Sequence, residues 1–212
     1  MKKLLIAIDG PSSSGKSTIA KNLSNFYQIP YLNTGSLYRA LAFLAHDNGL
    51  KSEEIDNIIK LTDQISNLDL DSENLHNEKI GKLASKIATD PKIRKALFDL
   101  QINFKKNSLK QYHGAILEGR DMGTVICPEA EFKFFIEVDV KIRAKRRFEQ
   151  LQKSNPNIKY EDVLEDLEKR DYNDKNRKIA PLIKADDAII IDNSKKPNII
   201  LEQITKIINE QN

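Results

Sequence analysis

Near the start of the chain, Gly10, Gly15, Lys16 and Ser17 fit the spacing G-x-x-x-x-G-K-[ST] within GPSSSGKST. Glycines at these two places let several backbone N–H groups turn toward one point, and a helix starting near Lys16 adds partial positive charge there. Lysine brings a compact charge to the β and γ phosphates of a nucleotide, and the Ser17 hydroxyl can ligate the magnesium ion that travels with them. Gly10, Pro11, Ser12, Ser13, Ser14, Gly15, Lys16, Ser17 and Thr18 therefore read as a phosphate cradle. The motif implies nucleotide binding and leaves the reaction open.

Three later clusters bear charges of the kind a phosphate reaction uses. YLNTGSLYRA, Tyr31 to Ala40, opens a helix at Thr34 and Gly35 whose N-terminus suits a second anion, with Arg39 about one turn further on. A capped helix with a surface arginine fits the same residues. ILEGRDMGT, Ile116 to Thr124, runs a buried strand into Glu118, Arg120 and Asp121, charges that are costly to bury unpaired. An internal salt bridge between Arg120 and an acid is the plainer alternative. In KRDYNDKNRKIAPL, Lys169 to Leu182, Arg170, Asp174 and Arg177 recur at spacings of four and three, a basic, acidic, basic series on one helix face. Solvated salt bridges explain such a series, whereas phosphoryl transfer uses arginines that close over the transferring charge and exclude water.

The elements that must position these groups alternate in type. Leu4 to Ile8 predicts a fully buried parallel strand, Ser17 to Tyr27 a helix with Ile19, Leu23 and Phe26 near one face, and Ile29 to Leu32 a short strand. Thr34 onward predicts a helix stopped at Gly49. Ser52 to Leu68, with Ile55, Ile58, Ile59, Thr62 and Ile65 at helical spacing, predicts one helix. A polar run separates it from a further helical pattern, and Asp90 before Pro91 caps a helix to about Lys106. Strands are expected at Ala115 to Leu117, Phe132 to Val138 and Ala188 to Ile191, and helices at Lys141 to Lys153, Tyr160 to Lys175 and Asn198 to Asn209. This order implies an α/β fold, a doubly wound parallel five-stranded sheet with its site at the strand C-terminal ends.

At 212 residues one domain is expected, large enough to bury a core without a disulfide or structural metal. Cys127 is the single cysteine, and His46, His76 and His113 are scattered, which suits surface or local packing rather than a metal cluster. The net charge of +3 is small beside 34 basic and 31 acidic residues, so charge does not indicate a nucleic-acid or membrane partner. Arginines instead gather in one stretch, at Arg143, Arg146, Arg147, Arg170 and Arg177. Met1 to Lys3 lead directly into the first strand, and no apolar run approaches the length of a membrane span, so a cytoplasmic protein is expected. A monomer is the expected form.

GPSSSGKST, YLNTGSLYR, DPKIRKAL, EGRDMGT and RDYNDKNRKIAPL stand in the order and approximate spacing of the bacterial cytidylate kinase family, which the chain resembles over nearly its whole length. The resemblance implies a P-loop kinase domain over 1–212, with a shortened helical acceptor-binding region at 34–107 and a helical lid at 147–177. It implies transfer of the γ-phosphoryl group of magnesium ATP to CMP or dCMP, with Lys16, Arg120, Arg170 and Arg177 catalytic. Thr34, Tyr38, Arg39 and Arg120 would hold the acceptor and its phosphate, and Ser85, Arg94 and Asp121 would read the base. Arg170 and Arg177 would reach phosphates and Asp174 the ribose, while Ser17 would hold the metal. The chain departs from the family in Asn33 and Glu118, where Asp is usual, and in the short segment Asn67 to Glu78. Another nucleoside monophosphate or a hydroxyl compound such as shikimate remains an alternative acceptor. A nucleotide-dependent switch is the rival from another class, without an N-K-x-D motif to support it.

Overall fold

The computed structural model describes residues 3–153, 155–194 and 197–211, with the side chains of His76, Pro197 and Asn198 outside that description. Met1 and Lys2, expected to lead into the first strand, also lie outside it. The chain divides into two compact units, Met1–Tyr31 with Ser108–Asn212, and Leu32–Asn107.

In the first unit, the apolar run after Lys3 forms β1 (Leu4–Asp9), every residue of which is buried. It pairs in parallel with β3 (Gly114–Gly119) and with β4 (Phe132–Glu137), and β4 pairs in parallel with β5 (Ile189–Asp192). With the short β2 (Tyr31–Asn33), the order is β2-β3-β1-β4-β5. The chain thus builds one side of β1 before crossing to the other, which makes the C-terminal end of β1 the switch point where α/β folds place ligands. Ile6 and Ile8 face a core with Phe132, Phe134 and Ile136, closed by α1 (Lys16–Tyr27) and α8 (Pro197–Gln211). Complete burial of such side chains stabilises by about 1.5–3 kcal/mol each.

The apolar stripe of α1 runs at i, i+4 and i+8 through Ile19, Leu23 and Tyr27. Phe26, expected on that face, is 57 % exposed with its ring edge-on to Tyr27. Two further helices, α6 (Val140–Gln152) and α7 (Tyr160–Asn176), pack on each other through Ala144, Val163 and Leu167, with Phe148 edge-on to Tyr160. After β3 the backbone makes a wide turn over Met122–Ile126 with an i→i+5 bond from Ile126 N to Asp121 O, a feature no periodicity announces.

The second unit is helical. Asn33 Oδ1 accepts from Ser36 N and caps α2 (Thr34–Asp47), and Gly49 with φ 68° follows its end. The single helix expected over Ser52 to Leu68 is instead α3 (Ile55–Ile59) and a 3₁₀ helix (Thr62–Asn67). Between them Leu61 N bonds to Ile58 O, and the Thr62 hydroxyl takes Ile59 O, so short-range bonds tighten the turn and break the α pattern. A short 3₁₀ helix (Glu73–His76) leads to α4 (Glu78–Ile87), and Asp90 accepts from Lys92 N and Ile93 N to start α5 (Pro91–Gln111), which runs past the expected Lys106. Among the described residues no helix is long and apolar enough to cross a membrane.

Candidate active site

The loop after β1 has its carbonyls tied from behind. Ser12 O accepts from Arg143 Nη1 at 3.1 Å, Ser14 O from Asn193 Nδ2 at 2.7 Å, and Pro11 O from Lys16 Nζ at 3.2 Å. Arg146 Nη2 in turn donates to Asn193 O, so two arginines of α6 support the loop, one directly and one through Asn193. Gly15 adopts φ 84°, and a side chain there would collide with Asn193 Nδ2. As N-cap of α1 it makes no side-chain capping bond, so the loop and first turn offer backbone N–H groups to an anion. Ser17 and Thr18 are exposed at the start of α1.

A magnesium ion suits these donors only if it arrives with phosphates. Among the described residues there is no cluster of three His, Cys, Asp or Glu side chains able to hold a metal. The exposed Ser17 hydroxyl fits an ion that keeps phosphate oxygens and water as its other ligands.

The C-terminal end of β3 brings charges to the same unit. Glu118 is 1 % exposed, with Oε2 3.9 Å from Lys16 Nζ. Arg120 Nε donates to Asp174 Oδ2 at 2.7 Å, a contact across 54 positions that joins two of the three clusters. Arg177 stands 3.8 Å from Asp121 and 3.9 Å from Asp174, and its Nε donates to Ala180 O. Arg177 lies one residue past α7 in extended backbone, so it leaves the helix face on which the spacing had placed it. Arg170 is half-buried on α7, and its charge acts on both Lys16 and Asp174.

Burial pushes the Lys16 ammonium down to about 7; Arg120 and Arg170 push the same way, and Glu118 opposes them. A triphosphate placed beside Lys16 would add to Glu118 and favour the charged ammonium. Burial works against the charges of Arg120 and Asp174, yet their mutual pairing holds the arginine above and the aspartate below its ordinary value.

Sequence reasoning left out Asp9. It is 4 % exposed at the end of β1, and its oxygens accept from Met122 N and Gly123 N, both at 2.8 Å. The carboxylate clamps the turn that follows Arg120 and Asp121 to the residue preceding the cradle. Burial raises its pKa from 3.8 to about 6 against the pull of those two N–H groups. An acid closing an otherwise apolar strand was its one visible signal. Asn193 had none, because its partner is 179 positions away.

In the second unit, Thr34 is buried at the start of α2, and Tyr38 and Arg39 are half-buried on it. Arg39 Nη1 donates to Leu75 O at 2.8 Å, so the 3₁₀ helix Glu73–His76, within the short segment Asn67 to Glu78, supplies a carbonyl to this arginine. The guanidinium lies against Gly81, where a Cβ would come within 3.1 Å of Nη2. Arg94 sits over the Tyr38 ring at 5.8 Å and donates to Ala88 O at 3.5 Å. Ser85 is half-buried on α4, and among the described residues no hydrogen bond joins it to Arg94.

The cytidylate kinase family model matches residues 6–210. The chain is 39 % identical over 195 residues to the cytidylate kinase of Bartonella tribocorum, covering 92 % of this chain and 89 % of that one. It is 37 % identical over 221 residues to the cytidylate kinase of Pseudothermotoga lettingae, covering 98 % and 95 %. Among solved structures, a sugar kinase from Janibacter sp. HTCC2649 shares the fold with a TM-score of 0.53 at 11 % identity, covering 98 % of this chain and 95 % of that one.

Proposed function

The chain belongs to the cytidylate kinase family and is an ATP-dependent kinase of CMP; we propose that it moves the γ-phosphoryl group of magnesium-bound ATP to CMP or dCMP with the residues that follow. The supporting observation is the cradle whose Ser12 and Ser14 carbonyls accept from Arg143 and Asn193, in the same unit as Lys16, Arg120, Arg170 and Arg177.

The loop from Gly10 to Thr18 holds the ATP phosphates through its backbone N–H groups, which every residue but Pro11 carries, and Lys16 spans β and γ. Ser17 would hold magnesium, which would neutralise part of the phosphate charge when bound. Thr34, Tyr38, Arg39 and Arg120 hold the acceptor phosphate. One of its oxygens forms the new bond to the γ phosphorus as the bond to the β–γ bridging oxygen breaks, and ADP leaves with that electron pair. A phosphate monoester has its second pKa near 6, roughly, so the attacking oxygen is already largely ionised at neutral pH and needs no dedicated base. Arg120, Arg170 and Arg177 stabilise the charge spread over the transferring group, and catalysis comes from positioning and electrostatics.

Asp121 accepts from the cytosine amino group, with Arg94 and Ser85 at the ring acceptors, while Asp174 takes the ribose. Uracil puts a carbonyl against Asp121 and leaves polar groups unpaired. In this reading 1–212 is one P-loop kinase domain with its acceptor region at 34–107 and its lid at 147–177. The small net charge supports a protein without a nucleic-acid partner, and a cytoplasmic monomer is the form proposed.

ADP release with ATP and CMP, dCMP, UMP, AMP or shikimate tests the acceptor. CMP and dCMP are expected to turn over fastest; release of ADP with another acceptor and none with these two would overturn the assignment.

A further inference from the structure

Arg143 was visible in the sequence only as one member of an arginine-rich stretch, and the reaction just described gives it no task. It is 3 % exposed on α6, yet its guanidinium reaches three other parts of the unit. Nε donates to Val138 O just past β4 at 3.0 Å, and Nη1 donates to Ser12 O in the cradle at 3.1 Å. Nη1 and Nη2 both donate to the Asp171 carboxylate on α7, Nη1 to Oδ1 at 3.2 Å. Asp171 directly follows Arg170 and stands one turn before Asp174.

A buried ion pair is a weak source of stability, since apolar residues of similar volume often serve as well. Its distinctive property is direction. A planar fork held on both carboxylate oxygens fixes the orientation of the helix that carries them, and a lysine cannot satisfy three acceptors in one plane. The same fork grips the Ser12 carbonyl in the loop assigned to the ATP phosphates under the proposed function.

We propose that Arg143 and Asp171 are positioning residues, a strut that couples the phosphate cradle to α7 and thereby sets where Arg170 and Asp174 stand during phosphoryl transfer. The proposal rests on the reading that residues of α7 serve the reaction. When the cradle closes on a triphosphate, movement of the Ser12 carbonyl is passed through one rigid group to Asp171.

The test measures kcat, the KM values for ATP and CMP, and the melting temperature for Asp171→Asn, Arg143→Lys, the double variant and Arg170→Ala. Asp171→Asn and Arg143→Lys are each expected to lower kcat on the order of 10- to 100-fold, the scale of a misplaced catalytic group, with KM for CMP changed less than kcat. The double variant should fall no further than the worse single, because either change breaks the same strut. Asp171 is the more exposed partner, so Asp171→Asn carries the test if Arg143→Lys fails to fold. A pair that only stabilises the fold would lower the melting temperature and leave kcat of the folded enzyme within about twofold; that result, or additive losses, overturns the strut. Arg170→Ala separates the two ideas. Wild-type kcat in Arg170→Ala removes the reading of α7 itself, whereas a slow Arg170→Ala beside a fast Asp171→Asn removes the strut alone.

Discussion

The two units hold their arginines in different ways. Around the cradle, side chains grip backbone carbonyls and paired carboxylates: Arg143 on Ser12 O, Asn193 on Ser14 O, Arg120 on Asp174. In the helical unit, Arg39 Nη1 donates to Leu75 O at 2.8 Å, and Arg94 lies over the Tyr38 ring at 5.8 Å and donates to Ala88 O at 3.5 Å. On the proposed donor side, bonds from Arg143 and Asn193 brace the loop after β1, whereas on the proposed acceptor side the two arginines lie against a carbonyl of a short 3₁₀ helix and an aromatic ring. Preorganised dipoles do most for the step in which charge is redistributed.

The largest break in this contrast should come from the cradle. Lys16→Met is expected to lower kcat on the order of 1000-fold or more with little change in melting temperature, because it removes the charge proposed to face the transferring group and leaves the Arg143 and Asn193 bonds to the loop in place. Retained turnover in a steady-state assay would show that the frame alone suffices.

Asp9 offers a second test of how firmly the donor side is held. Its carboxyl takes a proton near 6 in the folded protein and near 3.8 when unfolded. Between those values the folded state binds the extra proton, so this group makes the protein more stable as pH falls from 7 toward 4, by roughly 3 kcal/mol at most. Urea unfolding of wild type and Asp9→Asn across that range should show the difference climbing toward acid. A flat difference would mean that burial does not burden the carboxylate.

Base selection should respond more modestly. Asp121→Asn is expected to lower CMP turnover and raise UMP relative to CMP by about 10-fold in kcat/KM, since an amide can donate where the carboxylate only accepts. An unchanged ratio would take Asp121 out of base reading. The smallest effect belongs to the helical unit. Gly81→Ala places a Cβ 3.1 Å from the Arg39 guanidinium, which must shift a few tenths of an ångström. The KM for CMP should rise about two- to fivefold while that for ATP stays constant, a local overpacking cost. If both KM values rose together, Gly81 would have a role beyond placing Arg39.

Much of the frame was legible before the fold. The run LLIAID and the glycine-lysine spacing are local signals, and both stand where expected, as β1 and the loop into α1. The cap at Asp90 also acts within a few residues of itself. Helical spacing over Ser52 to Leu68 misled for a local reason too, since the Thr62 hydroxyl competes for a carbonyl that periodicity cannot see. Phe26 fits the helical stripe, but Tyr27 takes the contact with the core.

By itself, then, the sequence determined a nucleotide-binding α/β chain with a phosphate cradle and a set of charged clusters suited to moving a phosphoryl group. Backbone conformation and periodicity act over one or two turns, so residue type and spacing record them directly. Only the tertiary structure decided which charges meet: Arg120 with Asp174, Arg143 with Ser12 and Asp171, Asp9 with the turn after β3, Asn193 with the cradle. Burial makes an unpaired charge costly, and the partner that relieves the cost is chosen by strand order and helix packing, not by distance along the chain.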